Sequence, residues 1–413
     1  MVRILHFADA HIDMANYGRH DPVTGIPYRI QDFLKSLDTI VDTAIAEHVD
    51  LVLFAGDAYK DRTPAPTYQR EWGKRMMRLS RAGIPTLLLV GNHDISPAAG
   101  RAFSFQEFDT LEVPHIHLIS KPGFLTPAEL EGLPVQVLAL PWINRSTVAA
   151  ALADTSQSEV DPIEHLQDIY TQLVDRFLSS ADPSLPVILL AHASVEGAKY
   201  GGERSVMLGN DLTLSPALVK DSRIDYSALG HIHKKQDLNE GGYPPVVYPG
   251  SIERVDFGEA ADEKFFVTAD VEKGATRYQF RQLTGIRPFI DRFIKLTEGT
   301  DITRTLMDAL PEPERMKDAV VRLTVEYPRN LEGLIDEATL RQHAAEAFEF
   351  HFIRRPLMET RIRLAADQTI ATLSASDLTA VYWNAAHIAA AEQETLQQMV
   401  QAIVQETLIA PEP

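Results

Sequence analysis

The chain has 413 residues, 45% of them hydrophobic and 23% charged, and a net charge of −19; it is too long for one ordinary core and suits two or three globular domains. It contains no cysteine, which excludes disulfides and thiolate metal sites, so any metal must be held by nitrogen and oxygen. No apolar run approaches the ~18 residues of a membrane span, and the apolar start stops at Asp9, too short for a signal peptide, so a cytoplasmic location is expected.

In chain order, the N-terminal part reads as β-α-β-α-β. Residues 2–7, 51–54 and 86–90 are short apolar runs, ending at Asp9, at Gly56-Asp57 and at Gly91-Asn92-His93-Asp94. Between the first two, Ile30, Phe33, Leu34, Leu37, Ile40, Val41, Ala44 and Ile45 recur at helical spacing. Between the second and third, Trp72, Met76 and Leu79 precede Ser80-Arg81-Ala82-Gly83, a helix closed by glycine. Continuous apolar strands joined by helices predict a buried sheet with right-handed crossovers. Further strands are expected at 135–140, 187–190, 226–229, 246–248, 265–269 and 277–283. The later ones follow closely without helices, which predicts a second, more antiparallel sheet. Two sheets with helices outside give a four-layer α-β-β-α sandwich, a mixed α/β (α+β) fold, over residues 1–286.

Arg287-Pro288 opens a small α+β domain over 287–366, with a strand at 320–325, a helix at 335–348 and the basic pair Arg354-Arg355. The tail, 367–413, reads as helical, with Leu378, Val381, Tyr382, Ala385 and Ile388, then Leu396, Met399, Val400, Ile403, Val404 and Leu408 as apolar positions. Ser374, with Asp377 three residues on, is a capping signal. Charge is unevenly spread: 26 Lys and Arg against 38 Asp and Glu in 1–286, 13 against 14 in 287–366, none against six in 367–413. This balance argues against a broad basic grip on nucleic acid. Bound cations or a partner's basic surface would offset part of the acid.

The residues that carry chemistry follow apolar strands: Asp9-x-His11, Gly56-Asp57, Gly91-Asn92-His93-Asp94, Ala191-His192 and Gly230-His231-Ile232-His233. At a strand end, residues i and i+2 share a face, so Asp9 and His11 point one way, as do His231 and His233. The glycines before Asp57, Asn92 and His231 permit tight turns and close backbone approach. Mixed carboxylate and imidazole donors, with one carboxylate able to bridge, are what a pair of divalent ions needs to clamp a phosphodiester.

This ordered set resembles the signature of the calcineurin-like metallophosphoesterases, D-x-H, G-D, G-N-H-D/E, H and G-H-x-H, over roughly residues 1–285. The resemblance implies that Asp9, His11 and His233 hold one metal, that Asp57 bridges, and that Asn92, His192 and His231 hold the second. It makes His93 a non-ligand that stabilises or protonates the leaving oxygen, with Asp94 orienting its imidazole. Three more stretches resemble the SbcD-type DNA repair nucleases: Gly56 to Pro64 (GDAYKDRTP), Ile95-Ser96-Pro97 after the third motif, and Tyr248 to Arg254 (YPGSIER).

That likeness extends to the whole chain. It implies a Mn²⁺-dependent double-strand exonuclease and single-strand or hairpin endonuclease, homodimeric, acting on DNA ends with the SMC-like ATPase SbcC. The 287–366 domain then falls where the family has a DNA-contacting cap, and the apolar tail where it docks on the ATPase. Lys60, Arg62, Arg254, Arg354 and Arg355 become the expected DNA contacts. Lys60 departs from the family, in which a small acidic residue or histidine is common at this position, and that leaves substrate positioning beside Asp57 open. Manganese comes from the resemblance alone, since raw affinity at such a site favours zinc. Two other readings stand beside this one. A phosphodiesterase or phosphatase for small substrates fits the same motifs but leaves the C-terminal residues unexplained. A scaffold with a dead core would be expected to have lost ligands, and all seven are present.

Overall fold

The structure is a computed structural model that describes residues 1–95, 102–142, 162–201, 213–297, 301–357, 373–385 and 388–409. Ser96 and Pro97, and the boundary expected after residue 366, lie outside the described residues. The chain forms two compact units, Met1–Ile290 with Asp318–Val320, and Asp291–Lys317 with Val321–Pro413.

In the first unit, strands β1 (Val2–Phe7), β2 (Leu51–Phe54), β3 (Thr86–Leu89) and β4 (Ile116–Ile119) run parallel. Helix α1 (Tyr28–Ala46) connects β1 to β2, and α2 (Pro66–Arg81) connects β2 to β3. The second sheet begins with β5 (Gly123–Leu125), β6 (Gln136–Leu140) and β7 (Val187–His192), and α3 (Pro162–Ser180) precedes β7. A two-residue ladder, β8 (Ser194–Val195) with β9 (Thr213–Leu214), is followed by β10 (Tyr226–Gly230), β11 (Gln236–Asp237) and β12 (Val246–Tyr248). The sheet order is β11-β12-β10-β7-β6-β5.

Strands β13 (Phe265–Val271) and β14 (Arg277–Gln282) do not enter this second sheet; they return to the first, whose order is β14-β13-β1-β2-β3-β4. The expected antiparallel character is thus redistributed. β13 and β14 add antiparallel to β1, while β6, β7, β10 and β12 are parallel. The short β11 makes this possible, because it lets the chain turn back between β10 and β12 without a helix.

Strand alternation builds the layers. In β1, Leu5 and Phe7 pack with Phe33, Leu37 and Ile40 of α1 and Trp72 and Met76 of α2. Ile4, on the other face, packs with Val137, Ile188, Leu190, Ala228 and Val247 of the second sheet. The far face of that sheet takes Tyr170, Val174 and Leu178 of α3. The result is the α-β-β-α sandwich. Pro66 sits in the first turn of α2, where its missing N–H costs nothing. Arg78 and Arg81 lie in its last turn, where cations suit the helix dipole.

The second unit has a three-stranded sheet, β15 (Phe289–Lys295), β16 (Val320–Pro328) and β17 (Glu349–Leu357), in that order. Helix α4 (Ile302–Ala309) is capped by Asp301, and α5 (Glu337–His343) by Asp336. The helix expected over 335–348 is therefore one short segment of that stretch. The tail forms α6 (Ala375–Ala385) and α7 (Ala390–Ile409), which pack on each other. Ser374 and Asp377 make the reciprocal capping box, with Asp377 N donating to Ser374 Oγ at 3.1 Å and Ser374 N donating to Asp377 Oδ2 at 3.2 Å. Tyr382, Met399 and Ile403 are 56–61% exposed, so part of the apolar stripe faces outward. Among the described residues, no helix is long and apolar enough to cross a membrane.

Candidate metal centre

Every motif residue sits at the C-terminal end of a parallel strand, where open α/β sheets place ligands. Asp9 and His11 follow β1, Asp57 follows β2, Asn92 to Asp94 follow β3, His192 ends β7, and His231 and His233 follow β10. The two sheets thus face one another with donors on both sides.

The backbone bends sharply to do this. Asp9, His11, Asp57 and His231 have φ of 50°, 39°, 65° and 97°. Such left-handed conformations cost of order 1–3 kcal/mol each in side-chain-bearing residues, and they persist only where the surroundings hold them. Gly56, at φ 97°, has His192 against it, and a Cβ there would overlap that ring. A Cβ on Gly91 would strike the Asp57 carboxylate.

The donors converge. Asp9, His11 and His233 offer atoms within 4.8 Å of one another, and so do Asp9, Asp57 and His192. Asp9 belongs to both groups, and Asp57 Oδ2 lies 3.5 Å from His192 Nε2 in its own group and 3.9 Å from His11 Nε2 in the other. Asn92 Oδ1 is 2.9 Å from His192 Nε2 and 3.0 Å from His231 Nδ1. His192 donates from Nδ1 to the Ala55 carbonyl at 2.6 Å, which leaves Nε2 turned into the cluster.

Asp9, His11, Asp57, His192 and His231 are almost completely buried. Burial pushes the Asp9 carboxyl up to about 6 and drives His11 well below its ordinary value. Burial acts upward on Asp57 too, but His192, His93 and His11 hold it well below the carboxylate range. Burial acts downward on His192, and Asp57 outweighs it and lifts the imidazole to about 9.

Two buried carboxylates among imidazoles call for positive charge. The donors suit divalent cations, being nitrogen and oxygen only. The 3.0 Å between His11 Nε2 and His233 Nε2 matches two adjacent ligands on one ion at about 2.1 Å. The residues present fit a metal pair.

His93 stands at the rim, half-buried, its ring edge-on to His11 at 5.4 Å. Its amide donates to Asp57 Oδ1 at 2.9 Å. Its orientation differs from the expectation that Asp94 would set it. The ring donates from Nδ1 to the Lys60 carbonyl at 2.9 Å, and Nε2 lies 3.2 Å from Lys60 Nζ. Asp94 instead turns inward and accepts from the amides of Asp57 (2.8 Å), Gly91 (2.8 Å) and Ala58 (3.1 Å) and from Ser104 Oγ (3.1 Å). It ties two strand ends together, and burial followed by the nearby Asp57 raises its carboxyl to about 7.

Among the expected DNA contacts, Lys60 and Arg62 line an open cleft of about 470 Å³ with Asp13, Met14 and His93. Arg254 does not serve as one: its guanidinium donates to the carbonyls of Glu259 (3.2 Å), Arg287 (2.7 Å) and Asp262 (2.9 Å). A side chain so engaged is structural. Arg354 pairs with Glu337 at 2.5 Å and lies over Phe352 at 5.3 Å, while Arg355, its neighbour in β17, points to the opposite face. They do not act as one basic spot.

Sequence reasoning missed two neighbours of the centre. Trp142 lies 5.0 Å from the His231 ring. Glu259 accepts from His233 Nδ1 at 2.7 Å. No periodicity marks either; only the folded chain brings them close.

Several known proteins are similar to this chain in sequence. An uncharacterized metallophosphoesterase, YhaO of Bacillus subtilis (strain 168), is 26% identical over 67% of this chain and 59% of its own. The SbcD component of the nuclease SbcCD of Escherichia coli (strain K12) is 27% identical over 64% of each chain. The DNA double-strand break repair protein Mre11 of Archaeoglobus fulgidus is 24% identical over 76% of this chain and 63% of its own. This chain thus spans somewhat under two thirds of the length of these relatives. The calcineurin-like phosphoesterase pattern matches residues 2–235, the stretch that holds every donor of the centre, and the chain belongs to that family of metal-dependent phosphoester hydrolases.

Proposed function

We propose that this protein is a Mn²⁺-dependent DNA nuclease, the SbcD-type component of a complex with an SMC-like ATPase of the SbcC kind. It would act in the cytoplasm as a homodimer on DNA ends, as a double-strand exonuclease and a single-strand or hairpin endonuclease. The observation that carries the reading is a donor set beside an open cleft in which Lys60 and Arg62 alternate with Asp13 and Asp61. Asp9, His11, Asp57, Asn92, His192, His231 and His233 form the set, and Lys60 and Arg62 lie in the cleft with His93. A groove this open admits a polymer strand. The likeness to two proteins named for nuclease and break-repair roles supports the same choice.

A pair of divalent ions, when bound, supplies an activated water and a clamp on the attacking and leaving oxygens. The protein's part is positional. Asp9, His11 and His233 would hold one ion, Asn92, His192 and His231 the other, with Asp57 between them. Lys60 and Arg62 would take backbone phosphate, a contact that positions without reading sequence. His93, its Nδ1 proton held by the Lys60 carbonyl and its Nε2 3.2 Å from Lys60 Nζ, would assist departure of the sugar oxygen in its doubly protonated form, giving up the Nε2 proton and returning to neutral imidazole.

The test is degradation of linear duplex, hairpin and single-stranded DNA with Mn²⁺, run beside a generic phosphodiester. Turnover of DNA at a rate well above the generic ester is expected. Cleavage of the generic ester alone would favour a small-substrate enzyme.

The tail supplies the partner contact in this reading. Its outward apolar residues and purely acidic charge complement a basic groove. Removal of residues 371–413 is expected to leave a folded, metal-loaded protein that no longer co-purifies with the ATPase. Aggregation of the truncated chain would show that the stripe belongs to its own core.

A further inference from the structure

One buried cluster next to the centre is used by nothing described so far. Glu259 is 1% exposed and ends the short 3₁₀ turn Phe257–Glu259. Its Oε1 accepts from His233 Nδ1 at 2.7 Å. Its Oε2 accepts from Lys264 Nζ at 2.6 Å, from the Val255 amide at 2.9 Å and from Ser251 Oγ at 3.2 Å. Lys264, itself 1% exposed, also donates to Ser251 Oγ at 2.8 Å. Arg254 holds the Glu259 backbone carbonyl. The Ser251 amide donates back to the His233 carbonyl at 3.2 Å.

A buried ion pair with every oxygen engaged is costly to assemble and rigid once made. Here it bears on a single imidazole nitrogen. Only one ring nitrogen of a neutral histidine carries the proton, and the partner of one nitrogen decides what the other can do. With Nδ1 donating to Glu259, the lone pair of His233 lies on Nε2, the nitrogen that faces His11 and belongs to the group with Asp9.

We propose that Glu259 is a positioning residue of the metal centre, fixing the proton of His233 on Nδ1 so that Nε2 is offered as a ligand. Lys264, Ser251 and Arg254 hold its carboxylate in place. This rests on the metal-centre reading above. It gives the Tyr248 to Arg254 segment a different role from DNA contact, since Ser251 and Arg254 both serve Glu259.

The test uses the full, metal-free chain and calorimetric titration with Mn²⁺. Lys264 is changed together with Glu259, so that no unpaired buried charge is left. Glu259→Leu with Lys264→Met removes the acceptor, and one of the two ions is expected to bind about 10–100-fold more weakly, the usual effect of losing such a partner. Glu259→Gln with Lys264→Met keeps an acceptor for Nδ1 and is expected to recover most of that loss.

Nitrogen NMR of the histidine rings in the metal-free wild type is expected to show the His233 proton on Nδ1. A folded leucine variant that binds both ions like wild type overturns the proposal. So does a wild-type His233 proton found on Nε2, an answer that does not depend on any variant folding. Failure of the metal-centre reading is separate, because it would appear as a wild-type chain that takes up no ion.

Discussion

Replacing Asp57 with alanine is expected to abolish phosphodiester cleavage and to leave fewer than two Mn²⁺ ions per chain by elemental analysis. The carboxylate is within reach of histidines from both donor groups, 3.9 Å from His11 and 3.5 Å from His192. Its other oxygen takes the His93 amide at 2.9 Å, so its loss also removes one of the contacts that hold the His93 loop. Alanine supplies no donor, and in the proposed arrangement, where Asp57 touches both ions, the second ion would lose a ligand and be held more weakly against water. Full occupancy by two ions in the variant would show that Asp57 is not the bridge.

His93→Ala is expected to behave in the opposite way, keeping both ions and DNA binding while slowing cleavage about 10²–10⁴-fold, the range for a lost acid–base group. His93 is half-buried and outside both donor groups; its ring nitrogens are engaged by the Lys60 carbonyl and ammonium. Single-turnover rates measured beside metal content separate the two roles. If the variant instead loses an ion, His93 is a ligand and the division of roles changes.

That the motif residues gather in one place was legible in the sequence because each follows an apolar strand of a parallel sheet; how they are aimed was not, since Asp9, His11 and His231 turn through left-handed backbone and not along an extended strand end. The sandwich was legible for a similar reason: apolar runs of four to six residues joined by amphipathic helices admit few arrangements. Sheet membership was not. Val2 pairs with Val271, and nothing near β13 in sequence says which sheet will receive it.

Polar roles were hardest to read, since they depend on which way a side chain turns. Asp94 could face His93 or the amides behind it, and three buried N–H groups drew it inward. Arg254 looked like a free cation until three carbonyls were found around it. Glu259 reaches the centre through His233, which lies 26 residues before it.

The position of β13 also bears on how the protein is made. β1 occupies the middle of the first sheet, yet its antiparallel neighbour spans Phe265–Val271. A chain synthesised from its N-terminus carries β1 with one edge unpaired through most of the first unit's translation. Exposed strand edges recruit foreign strands, so the nascent protein is at its most vulnerable to aggregation before β13 emerges. The donors on β10 likewise arrive more than two hundred residues after Asp9. A ribosome-bound fragment ending before them cannot assemble the centre, and the first unit becomes competent for chemistry only near the end of its own synthesis.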